Sequence, residues 1–109
     1  MAVNAKKVYI TGADVIAASV PGHLGGSYLN AVLVHLSAGG GASNLTVKLN
    51  SIQGSAYDTI FETKAMNGIT DYAYIPSNPV ALEPGDSIDI DYANGGKATY
   101  GVTVILLDA

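Results

Sequence analysis

The sequence of residues 83–96, Glu-Pro-Gly-Asp-Ser-Ile-Asp-Ile-Asp-Tyr-Ala-Asn-Gly-Gly, predicts a strand with a turn on each side. Apolar and polar residues alternate between the Pro-Gly and Asn-Gly signals. Ile88, Ile90 and Tyr92 therefore fall on one face of a strand, and the polar residues between them fall on the other. This pattern predicts a strand with one dry face and one wet face, and the Asn-Gly-Gly that follows it is a hairpin signal.

The rest of the chain repeats this style of short apolar runs between turn residues. The chain has 109 residues with 13 Gly, and no segment shows the 3.6-residue period of a helix, apart from a possible helical turn at Lys64–Asn67. Eight strands are predicted: Lys6–Thr11, Val15–Val20, Tyr28–Leu36, Leu45–Ser51, Tyr57–Thr63, Thr70–Ile75, Ser87–Tyr92 and Ala98–Leu107. We expect an all-β protein, an eight-stranded antiparallel jelly-roll-like β-sandwich. Residues 6–109 form its single domain, and residues 1–5 are a flexible N-terminal arm.

The predicted strands are of two kinds. The fourth and seventh alternate cleanly, whereas the first, third, sixth and eighth are apolar on both faces. A jelly roll places these four two-sided strands in one sheet and the second, seventh, fourth and fifth in the other. A capping loop could cover the doubly apolar sheet, but few residues remain to form one, so a subunit interface is favoured. The residues expected at this interface are Tyr9, Val32, Val34, Leu36, Tyr72, Tyr74 and Ile105.

Charge and composition exclude several classes of partner. The chain has five Lys, no Arg and a net charge of -4, which argues against nucleic-acid binding and against docking to an anionic membrane. Because Cys is absent, thiol catalysis and a Cys-ligated zinc site are excluded. No apolar run approaches the roughly 20 residues that span a membrane, and no signal peptide is visible, so synthesis in the cytoplasm is expected.

Few residues offer catalytic or metal-binding chemistry. His23 and His35 stand in no zinc or triad spacing and are read as a loop and a strand-end histidine. Asp86, Asp89 and Asp91 could suggest calcium, but Asp89 and Asp91 alternate along a strand rather than around a turning loop, and Asp86 fits a turn-stabilising role. We therefore expect a protein that is not an enzyme and that has no catalytic residues, no metal and no cofactor.

The turns and strands resemble those of small virion proteins of tailed bacteriophages. The segments that carry the resemblance are residues 50–59, 65–71, 82–86, 91–94 and 99–104. They look like those of the β-sandwich head-decoration, or cement, proteins. The resemblance implies a capsid decoration protein that acts as a homotrimer on the capsid surface of the virion and braces neighbouring subunits of the major capsid protein. The alternative function is a tail or fibre-tip module that binds a cell-surface glycan, for which the seven Tyr could supply stacking surfaces.

The start of the chain is the expected capsid contact. Met1, Ala2, Val3, Asn4 and Ala5 carry no turn or core signal, and an extended segment of this kind can add itself to an exposed sheet edge. Lys6 and Lys7 follow directly and could meet an acidic rim on the capsid while the acidic body stays away.

Overall fold

The structure, a computed structural model, describes residues 5–22 and 25–108. Within these residues the protein is all-β, and its strands form two antiparallel sheets. The strands are β1 Ala5–Gly12, β2 Ile16–Pro21, β3 Ser27–Leu36, β4 Asn44–Asn50, β5 Thr59–Ala65, β6 Asp71–Tyr74, β7 Val80–Leu82, β8 Ser87–Tyr92 and β9 Tyr100–Asp108.

The two sheets contain the strands that the sequence patterns grouped together. One sheet has the order β1-β9-β3-β6, with β7 also paired to β3, and the other has the order β2-β8-β4-β5. All four strands predicted to be apolar on both faces lie in the first sheet. The turn at Asn94 connects β8 to β9, which lie in different sheets, so the hairpin predicted there is wrong: the turn is a crossover between the layers.

Two details of the strand prediction are wrong. The described residues contain nine strands rather than eight, because β7 pairs with the start of β3. Pro79 and Pro84 bracket these three residues and make them resemble a connection, and only pairing with a distant strand defines them. In the part of the chain that the structure describes, the single helical turn lies at Ser55–Tyr57 rather than near Lys64, which belongs to β5.

The core lies between the inner faces of the two sheets. The alternation predicted for β8 is confirmed, since Ile88, Ile90 and Tyr92 are buried and Asp91 is exposed. The inner residues of the five-stranded sheet are Leu29, Val32, Val34, Leu36, Val102, Val104 and Leu106. Residues facing them from the other sheet include Ile16, Val20, Leu45, Val47, Ile88, Ile90 and Tyr92. Each such side chain contributes about 1.5–3 kcal/mol by leaving water.

A β-bulge in β3 decides which residues point inward. The register of β3 against β9 shifts between Leu29 and Ala31, so Leu29 and Val32 face the same side although they are three positions apart. The strict two-residue period placed these two residues on opposite faces. Val32, Val34 and Leu36 are therefore core residues, 0–3% exposed, and the prediction that they lie on an outer interface is wrong.

The two β6 tyrosines also point inward. Tyr74 pairs with Val32 and Tyr72 with Val34, and directly paired residues share a face. Both rings are half-buried against the core. Tyr72 and Tyr74 therefore do not lie on the outer face either. Of the seven predicted interface residues, Tyr9 and Ile105 are placed on that face.

Two buried polar residues fix the turns that join the layers. Asp86, 5% exposed, accepts the backbone N–H of Ile52 at 2.8 Å and that of Glu83 at 2.8 Å. This confirms its predicted role in the Pro84-Gly85 turn. Asn94, 3% exposed, donates through Nδ2 to the carbonyls of Asp14 (2.8 Å) and Ala98 (2.9 Å). Both residues tie together segments that are distant in sequence.

Candidate interaction surface

The outer face of the five-stranded sheet carries an unusual share of apolar side chains. Its apolar members, set by register, are Tyr9 on β1, Tyr28, Ala31 and Leu33 on β3, Ala73 on β6, Ala81 on β7, and Ile105 and Leu107 on β9. Tyr9 is 72% exposed, Tyr28 39% and Leu33 36%, and Ile75, directly after β6, is 68% exposed. We call this set of residues the outer face.

The opposite surface of the sandwich has a different character. On the outside of the four-stranded sheet, Asp89 and Asp91 of β8 lie beside Lys48 and Thr46 of β4 in register. Ser19 of β2 donates a hydrogen bond to Asp89 at 2.8 Å. Ile60 is an exposed apolar exception on β5. One surface of the sandwich is thus suited to water, and the other is suited to contact with protein.

A shallow hollow of about 370 Å³ opens at one end of the outer face. Its lining includes Leu33, Ala73, Gly101 and Thr103. A Cβ added at Gly101 would meet no atom within 4 Å, so the missing side chain leaves the floor open.

A histidine–aspartate pair stands in this hollow. His35 Nδ1 lies 2.6 Å from Asp71 Oδ1, and both side chains are largely exposed, 65% and 72%. An ionised carboxylate only accepts, so Nδ1–H is the donor. This hydrogen bond and a second one from Thr70 lower the pKa of Asp71 below its usual value. The pair places an oriented polar group beside the apolar side chains Leu33 and Ala73.

A cluster of aromatic and charged side chains links the edges of the two sheets at β5 and β6. Tyr72 donates its hydroxyl proton to Glu62 at 2.5 Å, and the Lys64 ammonium lies 5.5 Å from the Tyr72 ring centroid. The rings of Phe61 and Tyr74 stack with centroids 6.3 Å apart. Burial, followed by the Glu62 carboxylate, raises the pKa of Tyr72 to about 12. These contacts explain the two β6 tyrosines as part of the fold.

The other open side of the sandwich, between β1 and β2, forms a groove of about 760 Å³. Its lining residues are Lys6, Lys7, Val8, Tyr9, Val20, Pro21, Gly22, Leu106 and Asp108. We call this the β1–β2 groove. Lys6, Lys7 and Tyr9 are exposed, whereas Val20 and Leu106 form its apolar floor.

The predicted capsid-binding segment is described only in part. Met1, Ala2, Val3 and Asn4 lie outside the described residues, as does His23. Ala5, Lys6 and Lys7 belong to β1, where they pair with Leu107, Leu106 and Ile105. The expected arm of residues 1–5 therefore has its last residue in a strand.

The carboxylates that raised the question of calcium do not form one cluster. Within residues 5–22 and 25–108, no group of three or more His, Asp or Glu side chains is arranged to hold a metal ion. Asp86 is committed to backbone N–H groups, and Asp89 lies on the outer surface of β8.

The residues that sequence reasoning missed are those whose face was assigned wrongly. Leu33, Tyr28 and Leu107 were not among the predicted interface residues, yet register places them on the outer face with Tyr9 and Ile105. The strict alternation of β9 could have identified Leu107. Because Val102, Val104 and Leu106 fill the core face of β9, Ile105 and Leu107 share the opposite face.

Comparison with protein-family models finds no match for this chain, and comparison with curated proteins finds no significant relative. In the part of the chain that the structure describes, no helix is long and apolar enough to span a membrane.

Proposed function

We propose that this protein is a bacteriophage virion structural protein, a capsid decoration or cement protein that braces neighbouring subunits of the major capsid protein as a homotrimer. The observation that carries the proposal is the outer face, where Tyr9, Leu33 and Tyr28 expose apolar surface. An exposed apolar sheet face favours contact with another protein surface. Interfaces between subunits are enriched in Tyr in the same way.

The size of the outer face is suited to a subunit contact. β9 has nine residues, which at about 3.4 Å per residue gives a length of about 30 Å. Four strands at a spacing of about 4.8 Å give a width of about 19 Å. The resulting footprint of about 570 Å² approaches the roughly 800 Å² per partner of a standard interface. In a trimer each protomer would use this whole face together with its rim.

The order of the strands supports a jelly-roll assignment. The orders β1-β9-β3-β6 and β2-β8-β4-β5 are those expected for an eight-stranded jelly roll, and β7 is a short addition beside β3. Together with the resemblance of the turns to those of phage decoration proteins, this order favours a virion protein. The proposed location is the capsid surface, after synthesis in the host cytoplasm.

The start of the chain is the proposed capsid contact. Met1 to Asn4 lie outside the described residues, and Ala5, Lys6 and Lys7 belong to β1, an edge strand of the five-stranded sheet. Edge strands present unpaired backbone groups that a neighbouring chain can pair with. Many copies of one modest contact on a particle would supply avidity.

Cryo-electron microscopy of the native particle tests the proposal. We expect density for three copies of this sandwich, with their outer faces in mutual contact, at positions where capsid subunits meet. Density on the tail alone, or no copies on the particle, would contradict it.

A second candidate function is glycan binding by a tail or fibre-tip module. The hollow beside His35 and Asp71, together with the exposed ring of Tyr9, favours it, because sugars bind to aromatic faces and oriented polar groups. A glycan array separates the two functions: selective binding that His35→Ala abolishes supports the second, and no binding to any glycan removes it.

A further inference from the structure

We propose that the β1–β2 groove binds an extended, acidic segment of a partner protein, which adds to β1 as a further strand. This inference does not depend on the virion assignment, because it concerns a site on the isolated chain. It rests on three features of the groove: its apolar floor, its unpaired strand edge and its charge.

The floor of the groove offers apolar burial to alternate side chains of an extended segment. Val20 and Leu106 are buried at its base, and Val8 is half-buried beside them. The portion of β1 that lines the groove runs from Lys6 to Tyr9, which is about 13 Å at about 3.4 Å per residue. A segment of about four residues covers this length, with every second side chain directed to the floor.

The strand edge available to such a segment is that of β1. β1 pairs with β9 on one side only, so the backbone groups along its other side are not used by the sheet. The opposite wall offers less, because Pro21 has no N–H and the N–H of Gly22 donates to the Asp86 carbonyl at 2.8 Å. A segment entering the groove therefore finds its backbone partners on β1.

The charge of the groove is opposite to that of the protein. Lys6 and Lys7 are two of five lysines in a chain of net charge -4, and neither forms an ion pair within the described residues. By contrast, Lys97 is 3.0 Å from Asp14, and Lys64 lies over the Tyr72 ring.

This charge arrangement directs an acidic partner to the groove. Asp108 contributes one carboxylate to the lining, which leaves the groove with an excess of positive charge. The acidic body repels an acidic partner elsewhere, so attraction is confined to this edge.

A second copy of this chain fits the groove poorly. Its own β1 edge would bring two more lysines, Lys6 and Lys7, against the first pair. Like charges placed opposite each other on neighbouring strands are destabilising. The occupant that fits both the charge and the strand edge is an acidic segment of a different protein.

The test uses the full chain, labelled with ¹⁵N, and a blocked hexapeptide of alternating Asp and Val as the probe. We expect NMR shift changes at Lys6, Val8 and Val20. A matched peptide of alternating Lys and Val should bind at least about tenfold more weakly, because it loses the charge complementarity. Two further versions of the acidic peptide carry N-methyl groups on alternate backbone nitrogens, one version on the odd positions and the other on the even positions. One version should lose binding and the other should keep it, because only alternate N–H groups of an added strand face β1.

Variants of the protein separate the groove from general charge. Lys6→Glu with Lys7→Glu should weaken binding of the acidic peptide by at least about tenfold, and Lys6→Gln with Lys7→Gln by less. Lys48→Glu with Lys64→Glu changes the net charge equally but lies away from the groove, so it should leave the affinity within about twofold. The dispersion of each spectrum reports whether the variant is folded.

Several outcomes would overturn the inference. Equal binding of the acidic and basic peptides would remove the role of charge, and unchanged binding of both N-methylated peptides would remove the added strand. Shift changes confined to Tyr28, Leu33 and Ala73, which lie on the outer face and not in the groove, would place the site elsewhere. The absence of any shift change at millimolar peptide would reject the site altogether.

Discussion

Leu33 and Val34 are neighbours in β3 that face opposite sides of the same sheet, so substituting each by Asp separates assembly from folding. Leu33 is 36% exposed on the outer face, and Val34 is 3% exposed in the core. We predict that Leu33→Asp gives a folded protein that no longer assembles, whereas Val34→Asp does not fold.

The burial of the two side chains sets the expected magnitudes. Val34→Asp loses about 1.5–3 kcal/mol of apolar burial and adds several kcal/mol for an unpaired buried carboxylate. The sum is comparable to the whole stability of a small domain, about 5–15 kcal/mol. Leu33→Asp loses only the buried part of its side chain, about 1–2 kcal/mol, which lowers the Tm by roughly 4–16 °C for a domain of this size.

Thermal unfolding followed by circular dichroism at several protein concentrations measures both effects. We expect the Tm of the unmodified protein to rise with concentration, because assembly stabilises the folded state, and the Tm of Leu33→Asp to be independent of concentration. Thr46→Asp, on the polar outer surface of β4, is the matched control and should behave like the unmodified protein. If Leu33→Asp keeps its concentration dependence, the outer face is not the interface. If Val34→Asp folds normally, the assignment of the β3 faces is wrong.

Three further predictions concern turns, packing and ionisation. Asp86→Ala should lower the free energy of unfolding, measured in urea, by about 3 kcal/mol, because it leaves two N–H groups without their carboxylate acceptor. The control Asp91→Ala should change it by less than about 0.5 kcal/mol, and equal effects would remove the structural role of the Asp86 turn. Calorimetry should show that Gly40→Ala is destabilising, since its Cβ would clash with the backbone carbonyl oxygen of Met66, and that Gly41→Ala, with no atom within 4 Å of its Cβ, is neutral. A neutral Gly40→Ala would contradict this packing. In an ultraviolet alkaline titration, one tyrosine, Tyr72, should ionise at about 12. Its raised pKa means that its contribution to stability is complete below pH 10 and is lost as the pH rises towards 12; a titration in which Tyr72→Phe removes no late step would refute the assignment.

The composition of the strands and their two-residue periods predicted most of the architecture. The alternation in β8 and β4 predicted one solvent-exposed face for each strand. The strands that are apolar on both faces, β1, β3, β6 and β9, were correctly grouped into one sheet. This succeeded because a strand buried on one face must alternate, whereas a strand in contact on both faces need not. The pattern thus predicts which strands share a sheet.

The faces of individual residues in β3 and β6 were predicted wrongly for a physical reason. A bulge near Asn30 shifts the parity of β3, and no feature of the local sequence marks it. The inward orientation of Tyr72 follows from its pairing with Val34, a contact between residues 38 positions apart in the chain. The meeting of His35 and Asp71 depends on the same register. The facing of these residues is set by strand pairing between segments far apart in the chain, and the residues around each position do not reveal that pairing.

Sedimentation equilibrium of the unmodified protein at micromolar concentration tests the central claim most directly, that the outer face is an interface between subunits. The chain has a mass of 11.1 kDa, so a homotrimer sediments as a species of about 33 kDa, three times that mass. We expect this species to persist on dilution and to be lost in Leu33→Asp. A single 11.1 kDa species across the whole concentration range would contradict the claim.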